Sequence, residues 1–549
     1  MTHPHHRFWP AGVPHTIEPP ATPLSANLEA SAGRFAKRPA LVFLGHTLTY
    51  AELQAQVARL AAWLSQRGMR RGDRVLVGLQ NCPQLVVAQY AIFRAGAVVV
   101  PVNPMLRAAE LRHVAQDSGA ALAITSSDLA AGWLAAGVPA ENLLVTRPAD
   151  ALPHAPPSDP DLPAAWADWL RDDSPLPAGA TRWSTALCCT GGAPAASTGV
   201  DDLALLAYTS GTTGHPKGCM HRHRSLQHNV HAGVAWGQLR PDDVVLAAIP
   251  MFHISGMVSV MHTALQAGAA LVLMPRWQRE VAAGLIARHR VTRWTNVPTM
   301  VIDLLASPDA DRFDLGCLRY IGGGGAAMPR AVAERLQARW GLRYLEGYGM
   351  TETAAPSHAN PPHASKPQCL GIPYVGCDAR VIDADTRQPL PAGQPGEIVV
   401  HGPMVFDGYW RQPEATAEAF IDLDGQRFLR TGDIGWVDAD GYFFMTDRLK
   451  RMINASGYKV WPAEVETLMH AHPGIAEACV VAAADVYRGE TVKAVVVRRA
   501  GHETLTAAEL RDWCRGQMAA YKVPALIEFA DRLPKSGAGK VLWRELQHV

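Results

Sequence analysis

Between Leu48 and Leu111 apolar positions recur at helical spacing through LTYAELQAQVARLAAWLSQRG, crowd into the short run RVLVGL, return to helical spacing up to Arg94 and close in AVVVPV. Helices alternating with short β-branched runs predict an α/β fold layered around a mainly parallel sheet. The alternation breaks over residues 146–201, where PADALPHAPPSDPDLPAAWADWLRDDSPLPAGA is rich in Pro, Ala and Asp; this predicts a surface excursion that orders poorly. It resumes after Leu203. Near Gly396 the pattern turns to short antiparallel strands, EIVVHG and RFLRTGDIGWVDADGYFFMTDR, which predict a small β-barrel-like subdomain. Beyond Arg448, a helix opening at Pro462, the runs ACVVAAADV and TVKAVVVRR, and another helix predict an α+β unit of about 100 residues. The chain therefore divides into a large N-terminal body of layered α/β subdomains, residues 1–447, and a small C-terminal domain, residues 448–549. Ile254 to Pro275 carries no charge and is long enough for a membrane span. Gly256, His262, Gln266 and Gly268 dilute it, however, and ALVLM before Pro275 reads as a buried strand after a buried helix.

Composition narrows the class. The 549 residues are 48% hydrophobic and 18% charged, with 47 Gly and 41 Pro, which is material for about three or four folding units with large cores and many tight turns. The formal charge is +1, so no overall field draws the chain to nucleic acid or an anionic membrane, and any anion site is local. The 9 cysteines are scattered without CxxC spacing and read as reduced thiols. MTHPHHRFWPAGVP offers no apolar secretory core, so a cytoplasmic location with no integral membrane span is expected.

The strongest local signal is LALLAYTSGTTGHPKG. An apolar strand ends at Tyr208, and Thr209, Ser210, Gly211, Thr212, Thr213, Gly214 and Lys217 follow. Glycines let backbone N–H groups turn toward a ligand, hydroxyls add donors and Lys217 adds charge, which together make a polyphosphate cradle. It is not GxxxxGK[ST], because Pro216 and Gly218 flank the lysine. PKSGAGK, ending at Lys540, also fails as a P-loop, since Pro534 and Val541 occupy the required Gly and hydroxyl places. The run Gly322 to Ala327 satisfies a loose GxGxxA with Glu346 downstream, so a dehydrogenase is the second choice from these residues alone. In YLEGYGMTE a strand would deliver Glu346, Gly347, Tyr348, Gly349, Met350, Thr351 and Glu352 to one edge: a ring to stack a purine, a hydroxyl for phosphate and a carboxylate for Mg²⁺. In RTGD, Asp433 stands in a Gly-flanked turn suited to two ribose hydroxyls, and Arg448 could reach the same sugar or a phosphate.

Taken in order, YTSGTTGHPKG, YGMTE, RTGD, DRLKRMINASGYKVWPAEVE and PKSGAGK resemble the adenylate-forming superfamily of acyl-CoA synthetases, adenylation domains and luciferases. The likeness runs from Leu48 to Leu546. RFWPAGVP, QNCPQ, VPVNPM and CLGIP are most similar to bacterial medium- or long-chain fatty-acid CoA ligases. The resemblance implies that a carboxylic acid and ATP form an acyl-AMP plus pyrophosphate, and that coenzyme A then takes the acyl group and AMP leaves. It further implies that Thr209 and Glu352 hold Mg²⁺, that Thr209 to Lys217 hold the β- and γ-phosphates, and that Gly325, Ala326, Glu346, Gly347 and Tyr348 surround adenine. Thr351 would meet the α-phosphate, and Asp433 with Arg448 the ribose. Lys540 would bridge carboxylate and α-phosphate while the adenylate forms. The C-terminal domain would be mobile, swinging on a hinge at Lys450 to bring Gly457, Tyr458 and Lys459 to the adenylate for coenzyme A. His253, in PMFHISGM, would sit beside the carboxylate, and Trp236, Val297, Pro298 and Ala354 would line the acyl pocket. An ionised carboxylate needs no deprotonation near neutral pH, so His253 is not assigned as a base.

Three alternatives remain at this stage. One is an acyl-AMP ligase that loads a carrier protein, although no carrier segment follows Val549. Another is a CoA ligase for short thioether, branched or aryl acids. The third, from another class, is a nucleotide-regulated binding protein, against which Lys217, Glu352, Asp433 and Lys540 argue. A homodimer is compatible with all three, and one methylene of chain length is worth only about 1–3 kcal/mol of discrimination, so the acid stays open.

Overall fold

The computed structural model describes residues 3–152, 163–190, 198–209, 216–307, 309, 312–448, 451, 453–455, 458–460, 462–485, 489–518, 520–536 and 541–547. Two compact units share the chain: one holds His5–Asp378 and His401–Arg427, the other is built mainly from Ala379–Val400 and Phe428–Val549.

The larger unit contains a nine-stranded and an eight-stranded sheet. The nine-stranded sheet is parallel through Pro39–Phe43, Ala270–Leu273, Val244–Ala247, Arg293–Asn296, Tyr320–Gly323 and Tyr344–Met350. Antiparallel strands His46–Thr49 and Ala355–Ala359 extend its two sides. In the eight-stranded sheet, Leu143–Thr146, Leu122–Ser126, Arg74–Gly78, Val98–Pro101 and Leu203–Thr209 run parallel, then Lys217–Arg222 and Gly408–Tyr409 turn antiparallel. The strand period of two sorts its side chains. Val75, Val77, Val99 and Leu205 enter the main core with the helices, while Leu76, Val98, Val100 and Leu206 enter a second core on the other face. A sheet covered on both faces needs such continuous apolar runs, which is why RVLVG and VVVP lack polar alternation.

Local signals set the helices. Thr49 and Glu52 form a reciprocal capping box that opens the helix Tyr50–Gln66, and Pro83 starts the helix Pro83–Arg94 where no backbone N–H is needed. The charge-free segment is internal: a π-helical stretch Ser255–His262, a helix Thr263–Ala267 and the strand Ala270–Leu273, almost wholly buried. No helix among the described residues is long and apolar enough to cross a membrane.

The expected poorly ordered excursion is corrected in part. Its described residues include the helices Ala164–Leu170 and Trp183–Leu187 and the strand Thr181–Arg182, which adds to the eight-stranded sheet beside Leu143–Thr146. Trp166, Leu170 and Trp183 are at most 4% exposed. Burying such a side chain is worth about 1.5–3 kcal/mol, enough to order a segment whose Pro content suggests otherwise.

In the smaller unit, Gly396–His401, Gln426–Val437 and Phe443–Arg448 form an antiparallel array, joined by Asp378–Ile382. The C-terminal residues form a second sheet in which Ile475–Asp485 pairs along its length with Gly489–Arg498 and Leu526–Phe529 adds in parallel. The helices Pro462–Met469 and Ala507–Gln517 bring Val465, Met469 and Leu510 to its core.

Candidate active site

Strand pairing assembles the first half of the site. Thr209 lies opposite Lys217, and Ala207 opposite Cys219. The alternation along KGCMHR then puts Lys217, Cys219 and His221 on one face, with Thr209 beside them. The turn Thr351–Thr353, at the end of the strand Tyr344–Met350, closes over this face. His221 Nε2 is 2.7 Å from the Thr351 carbonyl oxygen, and the Tyr409 hydroxyl donates to Glu352 Oε1 at 2.9 Å. Cys219 shares hydrogen bonds with Thr209 and Glu352. Lys217 Nζ lies 5.2 Å from the centroid of the Tyr409 ring. Thr209, Lys217, Thr351 and Glu352, all singled out from sequence, thus converge. Ser210, Gly211, Thr212, Thr213 and Gly214 lie outside the described residues.

Burial governs the protonation of this group. It pushes the Cys219 thiol and the Tyr409 phenol well up, each further raised by the neighbouring Glu352 carboxylate, so both keep their protons and act as donors to it. His221 is pushed down to about 4 by burial, against the opposing pull of the Thr351 carbonyl, and stays neutral. Cys219, His221 and Tyr409 were missed from sequence. Their only signal was the alternation in KGCMHR; the two-residue strand carrying Tyr409 has no local signature.

The adenine-side candidates lie on the adjoining strands. Gly322 and Gly323 stand opposite Leu345 and Glu346. A Cβ on Gly323 would sit 1.8 Å from the Asn296 carbonyl oxygen, one on Gly324 2.2 Å from that of Gly347, and Gly325 has φ +86°. The glycines are thus required by close strand packing, and the GxGxxA likeness carries no dinucleotide meaning here. Ala326 follows in the same exposed loop. Glu346 accepts from the backbone N–H groups of Met328 (3.2 Å) and Gln368 (2.8 Å), tying two loops together. Burial lifts its pKa to about 7 in spite of these bonds. Tyr348 is 9% exposed, with its ring 5.6 Å from that of His358, and Gly347, Gly349 and Met350 continue the strand.

After Glu352 the backbone bends sharply. Ala354 and Ala355 have φ of +52° and +84°, a region that costs a non-glycine residue about 1–3 kcal/mol. Asn229, on the helix His223–Gly237, holds the bend: its amide donates to the carbonyls of Thr353 (3.0 Å), Ala354 (2.9 Å) and Pro356 (3.2 Å). Asn229 is a further residue that sequence reasoning missed. Trp236, on the same helix, is buried, edge-on to Trp9 at 5.1 Å and 5.2 Å from Tyr374. His253 is half-buried beside Phe252, Pro298 opens the helix Pro298–Ala306 and Val297 caps it.

In the smaller unit Asp433 is 3% exposed, donates its backbone N–H to the Thr431 hydroxyl oxygen at 3.1 Å, and stands opposite Arg448 in register. Thr431 is held in turn by the Ile398 carbonyl, and Arg430 by two bonds to Glu397. Lys450, Gly457 and Lys540, and the side chains of Arg448, Tyr458 and Lys459, lie outside the described residues.

The donor set fits a hard cation that brings its own ligands. Glu352 and Thr209 offer oxygen donors, and no group of three or more His, Cys, Asp or Glu suited to a metal exists among the described residues. A magnesium ion carried by phosphates and water needs only one or two protein oxygens.

Layered sheets with carboxylate, lysine and hydroxyls at their edges define a nucleotide-handling α/β enzyme. Residues 28–410 match the AMP-binding enzyme family and residues 464–540 the AMP-binding enzyme C-terminal domain, so the chain belongs to the AMP-binding enzymes. It is similar to a long-chain-fatty-acid–CoA ligase of Bacillus subtilis (strain 168), 34% identical over 98% of this chain and 96% of the relative. It is also similar to a feruloyl-CoA synthase of Amycolatopsis sp, 38% identical over 92% of this chain and 94% of the relative. Among solved structures, ATP-bound MatB from Rhodopseudomonas palustris superposes with a TM-score of 0.82 at 30% identity, over 96% of this chain and 99% of that one. The activity is that of an AMP-forming acid–CoA ligase, with ATP, an acid and coenzyme A as small-molecule substrates.

Proposed function

We propose that the acid is a medium- or long-chain fatty acid, activated at the site built around Thr209, Lys217 and Glu352. The observation that supports an apolar substrate is the burial of the acyl candidates Pro298, Ala354 and Trp236, the last packed against Trp9 and Tyr374, together with the uncharged π-helical segment beyond His253. π-helical turns recur at functional sites. The fatty-acid–CoA ligase relative, matched along nearly its whole length, supports the same class. An aryl acid is the second reading, favoured by the feruloyl-CoA synthase relative.

In this reading the difficulty is electrostatic: an anionic carboxylate must approach an α-phosphate ringed by negative oxygens. Glu352 and Thr209 would hold Mg²⁺, which supplies charge neutralisation on the phosphates. Lys217 and the loop from Thr209 hold the β- and γ-phosphates, Thr351 the α-phosphate and Lys540 both reacting partners. Gly325, Ala326, Gly347 and Tyr348 surround adenine, while Glu346 fixes the loops on either side. Asp433 and Arg448 take the ribose, and His253 orients the carboxylate. With the adenylate made, the C-terminal domain turns on Lys450 and offers Gly457, Tyr458 and Lys459 to coenzyme A, a hinge motion with two working poses. The nine cysteines, present as thiols, fit a reducing cytoplasmic setting.

The test is a panel of straight-chain acids of graded length alongside hydroxycinnamic acids, read as AMP formed with and without coenzyme A. A maximum at medium or long chains with CoA-dependent AMP release is expected. A maximum on the aryl acids would move the assignment to the second reading, and AMP release indifferent to CoA would remove free CoA as the acceptor.

A further inference from the structure

We propose that His113 and Asp117, one turn apart on the helix Ala108–Ser118, brace the end of the hairpin that carries Thr209 and Lys217 and are positioning residues for ATP. This rests on the reading of Thr209 and Lys217 as phosphate-side groups and adds what fixes their spacing. The two stand opposite each other as the last pair between Leu203–Thr209 and Lys217–Arg222, and the ends of elements open more readily than their centres. The helix grips the residue before each of them. The Tyr208 hydroxyl donates to Asp117 Oδ2 at 2.5 Å, and His113 Nε2 is 3.0 Å from the Pro216 carbonyl oxygen. A carbonyl can only accept, so Nε2 carries the proton and donates it. Burial and the Asp117 carboxylate push the Tyr208 phenol well up, so it keeps its proton and remains the donor.

The same helix end reaches the next strand. The Asp117 carbonyl accepts from Trp410 Nε1 at 3.0 Å and Arg411 Nη1 at 3.1 Å, and Trp410 N–H donates to the Gly218 carbonyl at 2.8 Å. Gly218 lies opposite Tyr208, and a Cβ there would sit 3.2 Å from Tyr208 Cζ and 2.9 Å from Leu206 Cδ1. A side chain at 218 would thus press on the ring that carries the bonding hydroxyl. The helix has anchors of its own: Leu111 and Val114 enter the second core, and Arg74 donates to the carbonyls of Ser118 and Gly119, each at 2.8 Å. A carboxylate in the last helical turn meets the negative end of the helix dipole. The helix therefore gains nothing from Asp117, whereas the hairpin gains a fixed acceptor.

ATP binding to the full chain, measured by calorimetry without acid, tests the brace. Tyr208→Phe keeps the ring and removes the hydroxyl, and His113→Phe keeps a ring and removes the N–H. Each should weaken ATP binding about two- to tenfold, the worth of one hydrogen bond, while the KM for the acid stays unchanged. Asp117→Ala should match Tyr208→Phe, and Asp117→Asn, which keeps an acceptor for the hydroxyl, should restore binding. Melting temperatures identify a variant that fails to fold, and Tyr208→Phe, which loses a single oxygen, stands in for Asp117→Ala in that case. Lys217→Ala is run in parallel. Weak ATP binding in Lys217→Ala with wild-type binding in Tyr208→Phe or His113→Phe overturns the brace alone, as does an equal rise in the KM for acid and for ATP. Asp117→Asn as weak as Asp117→Ala overturns the Tyr208 hydrogen bond as its cause. Wild-type binding in Lys217→Ala overturns the phosphate reading of Lys217 and this inference with it.

Discussion

Replacing Asn229 by aspartate keeps the shape of a buried side chain and removes its donors. The amide has two N–H hydrogens, shared among the carbonyls of Thr353, Ala354 and Pro356 at 2.9–3.2 Å. Each buried acceptor left unsatisfied costs about 1–3 kcal/mol, so losing two such bonds costs about 2–6 kcal/mol. The carboxylate oxygens then face carbonyl oxygens, which adds to the loss. This falls on a bend that already carries two alanines at positive φ, each strained by about 1–3 kcal/mol and held only because its surroundings impose it. The bend follows Glu352 directly, so its relaxation displaces the carboxylate. If about 2 kcal/mol must be regained to restore the active shape, adenylation slows about thirtyfold. ATP–pyrophosphate exchange at saturating Mg²⁺ and acid measures that step, and a thermal melt measures stability. Both should fall in Asn229→Asp. A variant with the wild-type melting temperature and exchange rate would refute the view that Asn229 holds the turn.

Lys540→Ala should abolish pyrophosphate exchange yet spare thioester formation from supplied acyl-AMP; equal loss in both half-reactions would remove the assignment of Lys540. Trp236→Ala should move the chain-length optimum toward longer acids without changing the KM for ATP, and an unchanged length profile would make Trp236 plain core. The buried histidines set an acid limit. Burial lowers His221 and His223 to about 4, and His262 and His358 to about 3. Because the unfolded chain binds protons from about 6.5 downward and the folded chain does not, their contribution is fully present above about 6.5 and is lost as pH falls toward 4, at about 1.4 kcal/mol per pH unit for each histidine. Denaturant midpoints between pH 8 and 5 should fall steeply below 6.5, and a flat profile would contradict the neutral burial of these rings.

The layered, mainly parallel character of the body was legible because runs such as RVLVGL and AVVVPV are apolar on both faces, which only a sheet covered on both sides needs. The helices among the excursion's described residues were not legible because Pro and Asp dominate its composition while the buried Trp166 and Trp183 decide their energetics. Thr209, Lys217 and Glu352 could be singled out because their neighbours in sequence also belong to the site. Asn229, Cys219, His221 and Tyr409 could not, since each acts on a backbone or carboxylate far away in the chain: Asn229 across to Ala354, Tyr409 back to Glu352, His221 across to Thr351. Their roles exist only through register. A slip of one residue between Leu203–Thr209 and Lys217–Arg222 would turn Lys217, Cys219 and His221 away from the Glu352 turn together. The Gly408–Tyr409 strand, bonded to the same edge at Cys219 and Met220, would lose its pairing in the same step. The chemistry is therefore guarded by hydrophobic alternation. Leu206 can lie in one core and Leu205 and Ala207 in the other only when the hairpin is in the register that assembles the site.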